Sequence, residues 1–290
     1  MGRNTTTRGT AIIGALRTAD DPPRCPLTLG ALVLSAWVVL AAWGASPFAG
    51  LLSHGQLAEG GLTLFRVALF AAGWLIMSVA MMLPSSLPFV HLFHRLVAER
   101  PKRNALTQCL IVGYLAVWVG FGVVAFVGDA AVHAAVQRNT LVAAVAPWIG
   151  LTVLLGAGAY QLTPLKAMCL GRCRSPYTFR VEHRRGLEAG WEAVRLGGWH
   201  GLLCVGSCGT LMSLMFAVGG VNLGWMLGLA AVMALEKTSR WGQRLAVPVG
   251  VVLILCGLSL ASVFIADKVT TGCGVVPFGS LDCLAGFPRQ

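Results

Sequence analysis

Long apolar runs separated by short polar stretches dominate the chain. Seven runs stand out, and all but the sixth approach the ~20 residues that an α-helix needs to cross a bilayer. They cover residues 28–50, 66–89, 106–128, 141–161, 199–218, 221–235 and 245–266. The pattern predicts an all-α, polytopic transmembrane helix bundle of about seven spans. The short sixth run either completes a tight hairpin with the fifth or is re-entrant.

Composition and charge place the chain in a membrane and orient it. Hydrophobic residues make up 56% and charged residues 11%, whereas soluble domains carry about 25% charged residues. With the N-terminus in the cytoplasm, 18 of the 22 Lys and Arg fall in inside segments, as the positive-inside rule requires. The C-terminus is then periplasmic or extracellular. Because the net charge of +11 is spread over four loops, it indicates topology and disfavours nucleic-acid binding.

The same pattern divides the chain into three parts. We expect a disordered cytoplasmic leader at 1–27, a transmembrane domain at 28–266 and an outward-facing tail at 267–290. The first run is longer than the usual 7–15-residue h-region of a signal peptide, so we interpret it as an uncleaved anchor. Within the domain, 162–198 is a cytoplasmic loop. Its second half reads either as an interfacial amphipathic helix or as a solvated one.

The tail carries Cys273 and Cys283. In an oxidising outer compartment these two residues either form a disulfide or remain free thiols. The other seven cysteines lie in the membrane or face a reducing cytoplasm, so they are available as metal ligands.

The fifth run carries metal-ligand side chains almost once per helical turn: His200, Cys204, Cys208, Met212 and Met215. At about 100° per residue, the four sulfur residues lie within roughly 80° of one another. Thiolate and thioether are the soft ligands that select Cu(I). The five residues span roughly 22 Å, so one ion uses a single layer or several ions use a ladder. Alternatively, Cys and Met simply pack the helix interface.

The second run contributes Met77, Met81 and Met82, followed by Pro84, which kinks a helix. Met81 lies at nearly the depth of Cys208, and Met77 at that of Met212. We therefore expect the second and fifth spans to run antiparallel and to face each other around a mixed thiolate and thioether site.

Two further motifs lie near the cytoplasmic side. Cys169 and Cys173 form a CxxxC at the mouth of the fourth span, interpreted as a metal entrance or as a structural pair. Glu236 and Lys237 close the sixth span. We interpret them first as an ion pair at the interface, and second as residues that support the metal site.

Four ordered motifs resemble one bacterial family. They are Trp74-x-x-Met77-x-x-Ala80-Met81-Met82-x-Pro84, Tyr160-Gln161-x-x-Pro164-Leu-Lys166-x-x-Cys169-Leu-x-x-Cys173-Arg174-x-Pro176, Gly201-x-x-Cys204-x-Gly-x-Cys208-x-x-Leu211-Met212 and Glu236-Lys237. The family comprises integral membrane proteins that are predicted to bind metal, and it was formerly classed as a domain of unknown function. Its members are labelled copper chaperones, and some lie beside tyrosinase-type polyphenol oxidases. The resemblance covers roughly residues 65–260. Family members often have adjacent cysteines in the fifth-span motif, where this chain has Ser207, which favours a Cys/Met mixture.

We therefore expect a multi-pass protein of the bacterial inner membrane that binds Cu(I) and supplies it to an exported or membrane cuproenzyme. It would not be an enzyme. The main ligands would be Cys204, Cys208 and Met212, with the methionines of the second span opposite. Two alternatives stay open: a membrane thiol-disulfide oxidoreductase, and a structural subunit of a membrane complex in which the sulfurs only pack.

Overall fold

The computed structural model describes residues 24–46, 63–174, 190–218 and 223–271, and within these ranges all regular structure is helical. The helices are α1 Arg24–Gly44, α2 Leu64–Leu96, α3 Arg103–Arg138, α4 Thr140–Gln161, α5 Pro164–Arg174, α6 Gly190–Val218, α7 Leu223–Thr238 and α8 Gly242–Thr271. The predicted all-α class is confirmed.

Four of these helices are long and apolar enough to cross a membrane: α2, α3, α6 over Gly190–Phe216 and α8 over Gly242–Ala266. In α1, Thr28–Gly44 forms a shorter apolar helix, and α7 has only 16 residues. The helices thus suit a membrane protein, while the count of seven spans and the sidedness of the termini stay predictions from hydropathy and charge.

Some boundaries differ from those expected. The helix of the fifth run begins at Gly190, inside the segment assigned to the cytoplasmic loop, because Ala193 and Leu196 are already buried in the bundle. Helix α5 occupies the first part of that loop. Helix α8 continues to Thr271, into the segment expected to be the tail. Residues 1–23 of the leader, 175–189 of the loop and 272–290 of the tail, with Cys273 and Cys283, lie outside the described residues.

Side-chain contacts fix the directions of the three central helices. Phe70 of α2 stacks on Phe126 of α3, and further along α2 the Nδ1 of His94 lies 3.0 Å from Thr107 Oγ1, so α2 and α3 are antiparallel. The ring of Phe89 stacks on His200, and Trp74 packs near Phe216 at the other end of α6. The predicted antiparallel arrangement of the second and fifth spans is therefore present.

Helices α3 and α6 run parallel and in very close contact. A Cβ atom at Gly113 of α3 would overlap the backbone carbonyl of Val194, and one at Gly197 of α6 would overlap the carbonyl of Leu110. Small residues let membrane helices approach to backbone distance. These glycines bring the sulfur-bearing α6 against α3.

Proline shapes the middle of α2. Pro84 has no backbone N–H, so the carbonyl of Ala80, four residues earlier, loses its helical donor. The indole Nε1 of Trp37 in α1 donates to that carbonyl at 3.1 Å. The first helix thus satisfies a backbone acceptor that the proline leaves open beside Met81 and Met82.

Candidate metal centre

Three sulfur atoms meet inside the bundle. Cys204 and Cys208 lie one turn apart on α6 and are 0% and 1% exposed, and Met82 of α2 is fully buried. The Cys208 thiol contacts the Met82 Sδ at 3.7 Å and lies 3.0 Å from the Cys204 carbonyl. The thioether that faces Cys208 is therefore that of Met82, and not that of Met81, which lies at the same predicted depth in the membrane.

A lysine ammonium lies among these sulfurs. The Nζ of Lys237 is 2.7 Å from Cys204 Sγ, 3.3 Å from Ser85 Oγ and 3.9 Å from Met82 Sδ. Hydrogen bonds from a charged donor are short and strong, above all when the acceptor is also charged. Lys237 therefore belongs to the sulfur cluster, and the interpretation of Glu236 and Lys237 as a pair with each other is wrong.

The partner of Glu236 is Lys166 of α5. Their side chains meet at 2.7 Å and are 1% and 0% exposed, respectively. Burial lowers the pKa of Lys166, and the neighbouring Glu236 carboxylate opposes that shift. Lys166 belongs to the second sequence motif, but nothing in the local sequence indicates which distant acid it reaches.

Tyr114 of α3 was also missed. Its hydroxyl lies 3.1 Å from Cys204 Sγ and 3.3 Å from the Met82 carbonyl, to which it donates. A polar side chain inside a span is a functional candidate by default, and this rule would have singled out Tyr114 in the third run. The hydroxyl ties Cys204 of α6 to the Met82 turn of α2.

The two cysteines of α5 reach α6 at neighbouring turns. The Cys173 side chain lies close enough to Cys204 that their interaction, together with burial, raises the pKa of the Cys173 thiol well above its usual value. The Sγ of Cys169 packs against Gly206, where an added Cβ would lie 2.7 Å from the sulfur. The hydroxyl of Tyr160 donates to the Gly206 carbonyl at 2.5 Å. The CxxxC motif of α5, Cys169 and Cys173, therefore lies against that of α6, Cys204 and Cys208. Cys173 is half-buried and is the most exposed of the four.

His200 lies one turn before Cys204 and is 6% exposed. Its ring stacks on Phe89, with centroids 4.0 Å apart, and its Nε2 has no hydrogen-bond partner among the described residues. This nitrogen is thus available as a metal ligand at the edge of the cluster.

The remaining predicted ligands lie further along α6 and on α2. On α6, Met212 and Met215 are buried; on α2, Met81 is buried and Met77 is half-buried. Ser207, in place of the second cysteine, donates to the Cys204 carbonyl at 2.8 Å.

The chemistry of this donor set suits a soft metal ion. Among the described residues no group of three or more His, Cys, Asp and Glu side chains is arranged to hold a metal, so a site here needs methionine sulfur. The carboxylate of Glu236, the residue before Lys237, is bound by Lys166. Thiolates with a thioether select Cu(I), whereas Mg²⁺ and Ca²⁺ require oxygen ligands. The residues present therefore fit Cu(I) as a bound cargo ion.

Comparison with known proteins agrees with this chemistry. A family model described as PpoB2, copper chaperone, matches residues 71–260, which include all four motifs. No curated protein matches the chain, and no solved structure does.

Proposed function

The chain belongs to the PpoB2 copper chaperone family, and on that premise we propose that it binds Cu(I) inside its helix bundle and supplies the ion to a membrane or exported cuproenzyme. The proposed donors are Cys204, Cys208 and Met82, with Cys173 as a further sulfur. The observation that carries the proposal is the meeting of these side chains from α2, α5 and α6, which lie far apart in sequence. The protein would be a multi-pass component of the bacterial inner membrane.

Electrostatics favours a monovalent ion at this place. With Cys173 as a neutral thiol, the Cys204 and Cys208 thiolates and one Cu(I) leave one negative charge, and the Lys237 ammonium, 2.7 Å from Cys204 Sγ, offsets it. A buried charge without compensation is costly. A divalent ion such as Zn²⁺ would leave a positive charge instead, so Lys237 supports the choice of copper.

Movement of the ion follows from the spacing of exchangeable soft ligands. Cys173 is half-buried while Cys204 and Cys208 are buried, and this difference in exposure supports the proposal that Cys173 exchanges copper between the cytoplasmic side and the interior. Met212 and Met215 continue the sulfur stripe along α6, with Met77 and Met81 on α2, and His200 lies at its start. Transfer along such ligands needs no catalytic turnover, which accords with a chaperone rather than an enzyme.

The metal content of the detergent-purified protein after anaerobic Cu(I) loading tests the proposal. We expect near-stoichiometric copper in the wild type and its loss in the Cys204→Ser/Cys208→Ser variant. Cys256→Ser is the matched control, because Cys256 is an exposed cysteine on α8. Copper retained by the double variant, or absent from a folded wild type, would refute the site.

One contact favours a second candidate, the membrane thiol-disulfide oxidoreductase. The Cys173 thiol interacts with Cys204 on another helix, and a disulfide needs two cysteines that lie close together. Reversible formation of this disulfide at a physiological potential, in a protein that takes up no Cu(I), would favour the redox function. Copper uptake with all disulfides excluded would favour binding.

A further inference from the structure

Helix α5 holds a fully buried charge although it has only 11 residues and is too short to span a membrane. The Lys166 ammonium lies 2.7 Å from the Glu236 carboxylate, and neither side chain is more than 1% exposed. Burying an ion pair costs desolvation that its attraction barely repays, so such a pair adds little net stability. Its effect here is geometric, because it joins α5 to the last turn of α7.

The far end of α5 is tied to the same place. The guanidinium of Arg174 donates to the backbone carbonyl of Glu236 at 2.9 Å and to that of Ser239. The last carbonyls of a helix lack partners within the helix, and a cation is favoured at that end. Both ends of α5 thus contact the end of α7, where Glu236 is the residue next to Lys237.

Lys166 and the two cysteines share one face of α5. Cys169 and Cys173 follow Lys166 by three and seven residues, a spacing that places all three on the same side of a helix. The structure shows that side turned inward, since Cys169 packs against Gly206 and Cys173 packs against the core, near enough to Cys204 to interact with it. A displacement of Lys166 therefore displaces both sulfurs.

We propose that the Lys166–Glu236 pair is a latch that holds Cys173 beside Cys204 and so sets the number of cysteine sulfurs at the metal site. Lys166 and Glu236 are positioning residues, acting through α5. The consequence for copper rests on the proposed function; the placement of Cys173 does not require a metal.

The latch can be tested without metal in a variant that keeps Cys173 and Cys204 and has the other seven of its nine cysteines replaced. A short bifunctional thiol reagent joins the two sulfurs, and the mass of the intact protein reports the rate. Lys166→Met should slow cross-linking by about tenfold or more, because the Glu236 carboxylate is left buried without a counter-charge and α5 must move. Lys166→Met/Glu236→Met leaves no buried charge and should restore the rate to within about threefold.

Arg240→Met is the matched control, because Arg240 is a basic residue just beyond α7 that is exposed, and its rate should equal that of the parent. Cross-linking at the parent rate in folded Lys166→Met would overturn the latch, as would a double variant as slow as the single one. If Lys166→Met does not fold, Glu236→Gln replaces it as the test, because this variant removes the negative charge and keeps the shape of the side chain. A cross-linking rate in Glu236→Gln equal to that of the parent would also overturn the latch.

X-ray absorption of the copper-loaded protein with all its cysteines supplies the second readout. Breaking the latch should lower the sulfur count around Cu(I) by one while Cys204 and Cys208 retain the ion. The two proposals fail separately. A wild type without copper but with latch-dependent cross-linking refutes the proposed function alone, and bound copper with latch-independent cross-linking refutes the latch alone.

Discussion

Helices α6 and α8 are both long and apolar, yet their cysteines lie in opposite surroundings. Of the apolar stretch of α6, 61% is buried within the protein, against 17% for α8. Cys204 of α6 is buried beside Tyr114 and Lys237, and Cys208 is buried beside Met82, while Cys256 of α8 is exposed. The difference teaches that a cysteine in a span becomes a candidate ligand through the polar partners that surround it, and hydropathy does not reveal those partners.

The largest expected effect separates these cysteines directly. Cys208→Ser should abolish stoichiometric Cu(I) binding, because the hydroxyl is a hard donor that replaces a soft one, and Cys256→Ser should bind as the wild type does. Metal analysis after anaerobic loading measures both. Equal copper in the two variants would erase the distinction between the helices.

Helix contacts should show a comparable contrast in stability. Gly197→Ala on α6 drives a methyl group into the Leu110 carbonyl, whereas a Cβ at Gly156 on α4, the helix that packs on α8, meets nothing within 4 Å. We expect Gly197→Ala to lower the free energy of unfolding by about 1–3 kcal/mol or more, as overpacking does. Gly156→Ala should leave it unchanged or raise it by up to about 1 kcal/mol. Reversible unfolding in detergent measures both free energies, and equal stability of the two variants would contradict the expected contrast.

Removal of the buried ammonium should weaken copper binding without removing a ligand. Lys237→Met keeps most of the side-chain volume but leaves the thiolate–copper unit with an uncompensated negative charge. Loss of an outer-shell partner typically costs about 10–100-fold in metal affinity, and competition with a Cu(I) chelator measures it. As a control we suggest Lys102→Met, at an exposed lysine before α3, whose affinity should not change. An unaltered affinity in Lys237→Met would show that the charge has no part in binding.

The smallest effect concerns the hydroxyl between α2 and α6. Tyr114→Phe removes the contacts with Cys204 Sγ and the Met82 carbonyl and keeps the ring. A single hydrogen bond contributes about 0.5–1.5 kcal/mol, so Cu(I) affinity should fall by no more than roughly tenfold. The same chelator competition would contradict this ranking if Tyr114→Phe lost more affinity than Lys237→Met.

Local periodicity made some of the site predictable. Cys204 and Cys208 were recognisable because residues four apart share a helix face, and the chain order of apolar runs was enough to predict antiparallel α2 and α6. The contact of Met82 with Cys208 depends on how two helices rotate against each other, which hydropathy does not specify. Lys166 and Glu236 are 70 residues apart, and only the packing of α5 on α7 brings them together.

The proline of α2 also has a consequence for how the chain is made. The Ala80 carbonyl would enter the hydrocarbon without a donor, and an unsatisfied backbone group there costs several kcal/mol. The donor that relieves it, the Trp37 indole, belongs to the preceding helix. Because synthesis proceeds from the N-terminus, α1 is complete before Ala80 leaves the ribosome. The order of translation therefore supplies the acceptor with its partner before the sulfur-bearing helices α5 and α6 exist.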